Sequence, residues 1–116
     1  MRTADLRDES LDDAGLAGHI EKLAETPAPD GMLEGRDGMV YLTAIERNGI
    51  YRFDVDRRET KRVIEDVLLQ WPDSLSWGPE GHLYITASQI HRMPKYHDGT
   101  DHREGRPFRV LRIKLP

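Results

Sequence analysis

The chain has 116 residues, enough for one domain with a modest core. Hydrophobic residues make up 37% and charged residues 33%, with a mean hydropathy of -0.69, so apolar patterning has to come in short bursts. With no cysteine, disulfides and thiolate chemistry are excluded, and no apolar run approaches the ~20 residues that a membrane-spanning helix requires.

The net charge of -4 covers an asymmetry. Residues 1–38 carry four Lys/Arg against ten Asp/Glu, while residues 91–116 carry seven against three. The basic end has no interleaved aromatic platform, and overall acidity opposes phosphate attraction, so nucleic acid is not an expected partner. The first ten residues lack the apolar stretch of a secretory signal.

Residues 1–28 read as a charged N-terminal segment. Ser10 followed by Asp13 has the capping-box pattern, and Leu16, Ile20 and Leu23 follow at helical spacing. Pro27 and Pro29 forbid continuation. The expectation is one amphipathic helix over about 11–25.

From Pro29 the periodicity changes. Met32–Glu34, Val40–Ala44 and Ile50–Phe53 read as strands, divided by the turn Gly35-Arg36-Asp37-Gly38 and by Asn48-Gly49. Residues 60–65 supply an outer fourth strand. The plan then returns at a constant offset of 43 residues. Pro29, Asp30, Gly35, Gly38, Tyr41, Thr43 and Ala44 match Pro72, Asp73, Gly78, Gly81, Tyr84, Thr86 and Ala87. Strands are expected near 75–77, 82–87 and 90–93. A polar loop from Lys95 to Arg106 and a last strand at 108–113 follow. A period of this length with several strands per repeat marks a propeller blade. The fold class is therefore all-β, about two four-stranded blades of a β-propeller with one N-terminal helix. The first blade spans 29–66 and the second 67–116. Blades are apolar on both faces because neighbours pack on each side, so the chain is expected to need further blades or self-association.

The stretch Trp71-Pro72-Asp73-Ser74-Leu75, then Gly78-Pro79-Glu80-Gly81-His82-Leu83-Tyr84, then Gln89-Ile90-His91-Arg92-Met93-Pro94 and Phe108-Arg109-Val110-Leu111-Arg112-Ile113, resembles the C-terminal part of the major royal jelly protein/Yellow family, microbial members above all. The resemblance implies a six-bladed propeller of which this chain is about the last third, with four blades expected upstream of Met1. It also implies a small-molecule ligand in or near the central channel, secretion for many members, and a dopachrome-converting activity attributed to some. Family members often carry Asn at the position of Ser88; serine there has a shorter reach and no amide donor.

Asp30 and Asp73 open the innermost strand of each repeat. Each either holds the strand entry as an Asx turn or contacts a channel ligand. With Ser88 and Gln89 they form the expected ligand-binding set. Pro29-Asp30-Gly31-Met32 also resembles the segment that supplies a metal-binding aspartate in gluconolactonase-like propellers. That likeness implies a divalent cation such as calcium on Asp30, with the other ligands coming from other blades. A metal-dependent lactonase-like hydrolase, a dopachrome-type isomerase, and a two-blade module that trimerises into a full ring are the alternatives to simple binding.

No self-sufficient catalytic set appears. Ser74, Ser76 and Ser88 lack the Gly-x-Ser-x-Gly elbow, and no glycine-rich phosphate loop opens a helix. His19 and His82 read as solvated, and His91, on the strand at 90–93, as a packing or hydrogen-bonding residue rather than a catalytic one. His97-Asp98-Gly99-Thr100-Asp101-His102 has neither His-Glu-x-x-His nor EF-hand spacing and reads as a solvated loop. Trp71, Trp77, Tyr41 and Tyr84 read as packing between blades.

Overall fold

A computed structural model describes residues 1–115. Two short helices, α1 (Thr3–Leu6) and α2 (Asp13–Gly18), precede seven strands. Strands β1 (Met32–Glu34), β2 (Val40–Ala44), β3 (Gly49–Asp54) and β4 (Glu59–Glu65) form one antiparallel sheet in sequence order. Strands β5 (Pro72–Trp77), β6 (His82–Ala87) and β7 (Arg109–Lys114) form a second. No helix among the described residues is long and apolar enough to cross a membrane.

The N-terminal expectation is corrected. In place of one helix over 11–25, α2 has six residues, and residues 20–29 have no regular structure. Gly15 and Gly18 lie inside the stretch and each lowers helix stability by about 1 kcal/mol relative to alanine. A helix this short holds only if packing stabilises it, and neither helix buries a residue. The N-cap is Asp12, whose Oδ1 accepts from the Gly15 amide at 2.8 Å. Ser10 instead donates to Asp8 at 2.6 Å.

The 43-residue repeat is realised atom by atom. Thr43 Oγ1 accepts from the Gly31 amide at 3.0 Å, and Thr86 Oγ1 accepts from the Ser74 amide at 3.0 Å. Each threonine thus fixes the entry of its sheet's first strand. At the opposite end, the Gly35 amide donates to Met39 O at 2.7 Å, and the Gly78 amide to His82 O at 2.9 Å. A Cβ on Gly35 would lie 2.6 Å from Tyr41 Cε2, and one on Gly78 would lie 2.2 Å from Tyr84 Cε2. The tyrosine ring lies on the glycine in both sheets, which is why the pair recurs.

The second sheet differs from expectation in its third strand. Ile90–Arg92 is a 3-10 turn, and the place beside β6 is taken by β7, in register from His82–Lys114 to Ala87–Arg109. Gln89 is left-handed at φ 53°, which turns the chain out of the sheet immediately after β6. Pro94 removes a ladder donor from the same segment. The second sheet therefore has three strands, not four, among the described residues.

The core lies between the sheets. Alternation puts Leu33, Tyr41, Thr43 and Ile50 on one face of the first sheet, and Leu75, Leu83, Ile85, Leu111 and Ile113 on the facing side of the second. Tyr41, Ile50, Leu69, Leu83 and Ile85 form its buried centre. Two indoles fasten β5 to β1 at both ends: Trp71 Nε1 donates to Asp30 Oδ2 at 2.7 Å, and Trp77 Nε1 to Glu34 O at 2.9 Å. Trp77 also meets Tyr41 edge to face, with ring centroids 5.3 Å apart.

The two outer faces are unlike. On the first sheet, Leu42, Ala44 and Phe53 are buried. The Ala28 carbonyl accepts from the Ile45 amide, Arg58 pairs with Glu21, and residues 25–28 border Tyr51 and Thr60. The second sheet's outer face presents Ser74, Ser76, Tyr84, Thr86, Val110, Arg112 and Lys114, with Val110 71% exposed. It is a mostly polar face with one large aliphatic side chain.

Thr43 is fully buried and accepts from two amides, Asp30 N at 2.9 Å and Gly31 N at 3.0 Å. Thr43→Val keeps the shape and strands both donors, so a loss of about 2 kcal/mol is expected in urea unfolding. Thr86 accepts from one such amide and is half-buried, so Thr86→Val is expected to cost about half as much.

Candidate functional site

Because the indole bonds run start to start and end to end along β1 and β5, both sheets point the same way. One end of the molecule collects the entry to β1, the β2–β3 loop, the connection into β5 and the exit from β6. Asp30, Asn48, Trp71, Asp73, Ser88, Gln89 and His91 meet there.

Backbone strain is concentrated at this end. Five non-glycine residues have φ in the left-handed region: Asn48, Arg58, Trp71, Glu80 and Gln89. Three of them belong here, at φ 48°, 54° and 53° for Asn48, Trp71 and Gln89. Asparagine tolerates that region, but a bulky tryptophan in it is an outlier. Such a residue costs about 1–3 kcal/mol and persists only where its surroundings over-determine it.

The surroundings of Trp71 do so. Its indole N–H is held by Asp30, its carbonyl accepts from the Ser88 amide at 3.1 Å and hydroxyl at 3.3 Å, and its ring stacks on His91. The two rings lie 6.0 Å apart by centroid and 13° from parallel. Burial, with the nearby charges of Arg92 and His97, pushes the His91 pKa down from its usual value. The lowered pKa favours the neutral imidazole, whose face is an uncharged aromatic surface. A cleft of about 300 Å³ opens beside the pair, lined by Ile45, Glu46, Asn48, Gln70, Trp71 and His91.

None of the four residues expected to bind a ligand lines this cleft; Asp30 and Ser88 reach it only through Trp71. Asp30 is exposed, with one carboxylate oxygen given to Trp71. Asp73 is half-buried and accepts from the Ser74 hydroxyl at 3.0 Å. Ser88 is half-buried, with its hydroxyl on the Trp71 carbonyl. Gln89 is fully buried: its Nε2 donates to Pro107 O at 3.0 Å and Arg106 O at 3.4 Å, and its Oε1 accepts from Arg92. The Gln89 amide thus anchors the far end of the β6–β7 loop. Arg92 is in turn held by Gln70 at 3.2 Å.

As a metal ligand, Asp30 has an indole donor as its side-chain partner. Among the described residues, three metal-ligating side chains converge elsewhere, at His97, Asp98 and His102. Sequence reasoning assigned Trp71 and His91 to packing and so missed them as the walls of a cleft. No sequence signal marks a left-handed tryptophan.

At the opposite end, a smaller cleft of about 160 Å³ lies among Arg36, Asp37, Tyr41, Trp77, Gly78, Gly81 and Leu115. Two of its polar groups are already paired: the Tyr41 hydroxyl donates to Asp37 at 3.0 Å, and the Trp77 indole to Glu34. Burial and the Asp37 carboxylate push the Tyr41 hydroxyl pKa up, so it stays a proton donor within the turn.

No family model matches the chain, and no curated protein matches it. Among solved structures, it is similar to selenomethionine-substituted virginiamycin B lyase from Staphylococcus aureus, with 15% identity and a TM-score of 0.45. The similarity covers 76% of this chain and 27% of that protein. Nothing about activity follows from a likeness at that level.

Proposed function

We propose that the two sheets are blades of a six-bladed, royal-jelly/Yellow-type propeller, and that the whole protein binds a small aromatic ligand at the end where Trp71 and His91 stand beside Asp30. The observation that carries the binding reading is the left-handed Trp71, held by Asp30 and Ser88 with its ring on the His91 imidazole at the edge of an open cleft. Aromatic walls provide affinity through ring stacking and apolar contact. Glu46 and Asn48 add a carboxylate and a carboxamide to the lining of the cleft, which favours a ligand bearing an amine or hydroxyl over a carboxylate.

The blade reading is supported by the shared 43-residue plan and by face-to-face packing around one core, whereas the outer face of the second sheet is more polar than a covered blade face is expected to be. In the whole protein a further blade covers Tyr84, Thr86 and Val110. A lactonase-like reading would require carboxylates and amides to converge on Asp30. In this chain its carboxylate accepts from the Trp71 indole, and the binding reading is preferred on the cleft beside Trp71 and His91.

The test is a calorimetric titration of the whole protein with tryptamine, indole-3-acetate and an aliphatic amine of similar size. Tryptamine is expected to bind best, and Trp71→Ala is expected to weaken it at least tenfold, about 1.4 kcal/mol. Affinities that Trp71→Ala leaves unchanged, or a preference for the aliphatic amine, would overturn the reading.

A further inference from the structure

We propose that His97, Asp98 and His102, on the loop between β6 and β7, form a binding site for a divalent transition metal of the zinc class. Their sequence spacing matches no metal motif, and the fold of the loop brings them together. One nitrogen from each imidazole and one carboxylate oxygen all lie within 4.8 Å of one another. His102 Nε2 is 3.0 Å from Asp98 Oδ1, and His97 Nδ1 is 3.5 Å from the same oxygen.

Those separations are the ones a tetrahedral ion needs. Zinc takes nitrogen and oxygen ligands at about 2.0–2.1 Å, so two ligands on one ion lie about 3.3 Å apart. The two distances from Asp98 bracket that edge. The third edge, between the two imidazole nitrogens, is no longer than 4.8 Å, and the side chains of this exposed loop have to turn to shorten it on an ion.

The ligand set selects the ion. Two imidazoles and one carboxylate suit zinc and its neighbours, whereas calcium and magnesium want an all-oxygen shell. Asp101, the neighbouring carboxylate, is engaged by Arg103 at 2.6 and 2.8 Å and stays outside the set. Three protein ligands leave a fourth position for water, facing solvent because His97 and Asp98 are exposed.

The loop that carries the site is tied at two further points. The His102 amide donates to Arg92 O at 3.0 Å, and Gln89 holds Arg106 and Pro107. A bound ion therefore adds a third closure, next to the segment that supplies His91.

The experiment uses the untagged whole protein and zinc alone as the probe, by calorimetry, with cobalt(II) as a spectroscopic substitute. One zinc per chain is expected at this loop, and magnesium is not expected to compete. His97→Ala and His102→Ala are each expected to weaken zinc at least about tenfold and to abolish the intense visible absorption of tetrahedral cobalt(II). His19→Ala is expected to change neither. The three ligands sit on an exposed loop, so circular dichroism is expected to be the same for all variants. Zinc affinity that survives His97→Ala and His102→Ala unchanged would overturn the proposal, as would the absence of both heat and cobalt absorption in the parent protein.

Discussion

Gly31→Ala is expected to destabilise the protein by about 3 kcal/mol. A Cβ at this position would lie 2.1 Å from the Asp73 carbonyl oxygen, 3.2 Å from its carbon and 3.3 Å from Ser74 Cα. All three atoms are backbone of β5, so no side chain can rotate away. Nor can Gly31 retreat, since its amide donates to Thr43 Oγ1 and its carbonyl accepts from the Thr43 amide at 3.0 Å. The strain has to be relieved by parting the entry to β1 from β5. In a thermal scan the expected fall in Tm is on the order of 10 °C. Gly18→Ala is the matched control: nothing lies within 4 Å of its added Cβ, and it is expected to be neutral or slightly stabilising.

Ile85→Ala is expected to cost a further large amount, about 3 kcal/mol, by removing apolar contacts and leaving a cavity. Ile85 is fully buried on the central strand of the second sheet and belongs to the cluster shared with Tyr41 and Ile50. Denaturant unfolding of the 116-residue chain measures it directly. Val110, on the other face of the neighbouring strand, is 71% exposed. Val110→Ala is expected to change stability by less than about 0.5 kcal/mol in the same chain. If a further blade covers that face, as proposed above, the Val110 substitution is expected to cost more in a protein that contains it.

What the sequence revealed of the fold follows from which interactions are local. The strands of the first sheet were legible because alternation, Asn48-Gly49 and the glycine-bracketed turn act within a few residues. Thr43 with Thr86, and Gly35–Tyr41 with Gly78–Tyr84, were legible as repeats before their roles were known. Their identity at one offset now has a cause in two amide clamps and two rings resting on glycine. The 90–93 strand was misread because Ile90-His91-Arg92-Met93 alternates like a strand, while the ladder beside β6 is decided by a segment some 20 residues later. The left-handed Gln89 and its buried amide make that choice, and neither leaves a mark in the periodicity. The helix over 11–25 was misread for a complementary reason. Spacing marked an apolar stripe, but no partner surface buries Ile20 or Leu23, which are 66% and 39% exposed.

The candidate site was legible in part. Asp30 was expected at a ligand from its place in the repeat and Ser88 from the family resemblance; in the structure both hold Trp71. Gln89 proves to be a fully buried loop anchor. The aromatic walls came from a backbone conformation that sequence does not disclose. Likewise, the His97–Asp98–His102 cluster depends on how one loop closes, and its spacing alone reads as solvated.

The two tryptophans provide the most direct measurement of the central claim, because their indole N–H groups report on opposite ends of the same strand. Trp71 donates to Asp30 at the proposed ligand end, and Trp77 donates to Glu34 at the other. In a nitrogen-15 correlation spectrum of the whole protein, assigned by Trp71→Phe and Trp77→Phe, tryptamine is expected to shift the Trp71 indole signal and leave Trp77 in place. A titration that moves Trp77 and spares Trp71, or moves neither at saturation, would contradict the account.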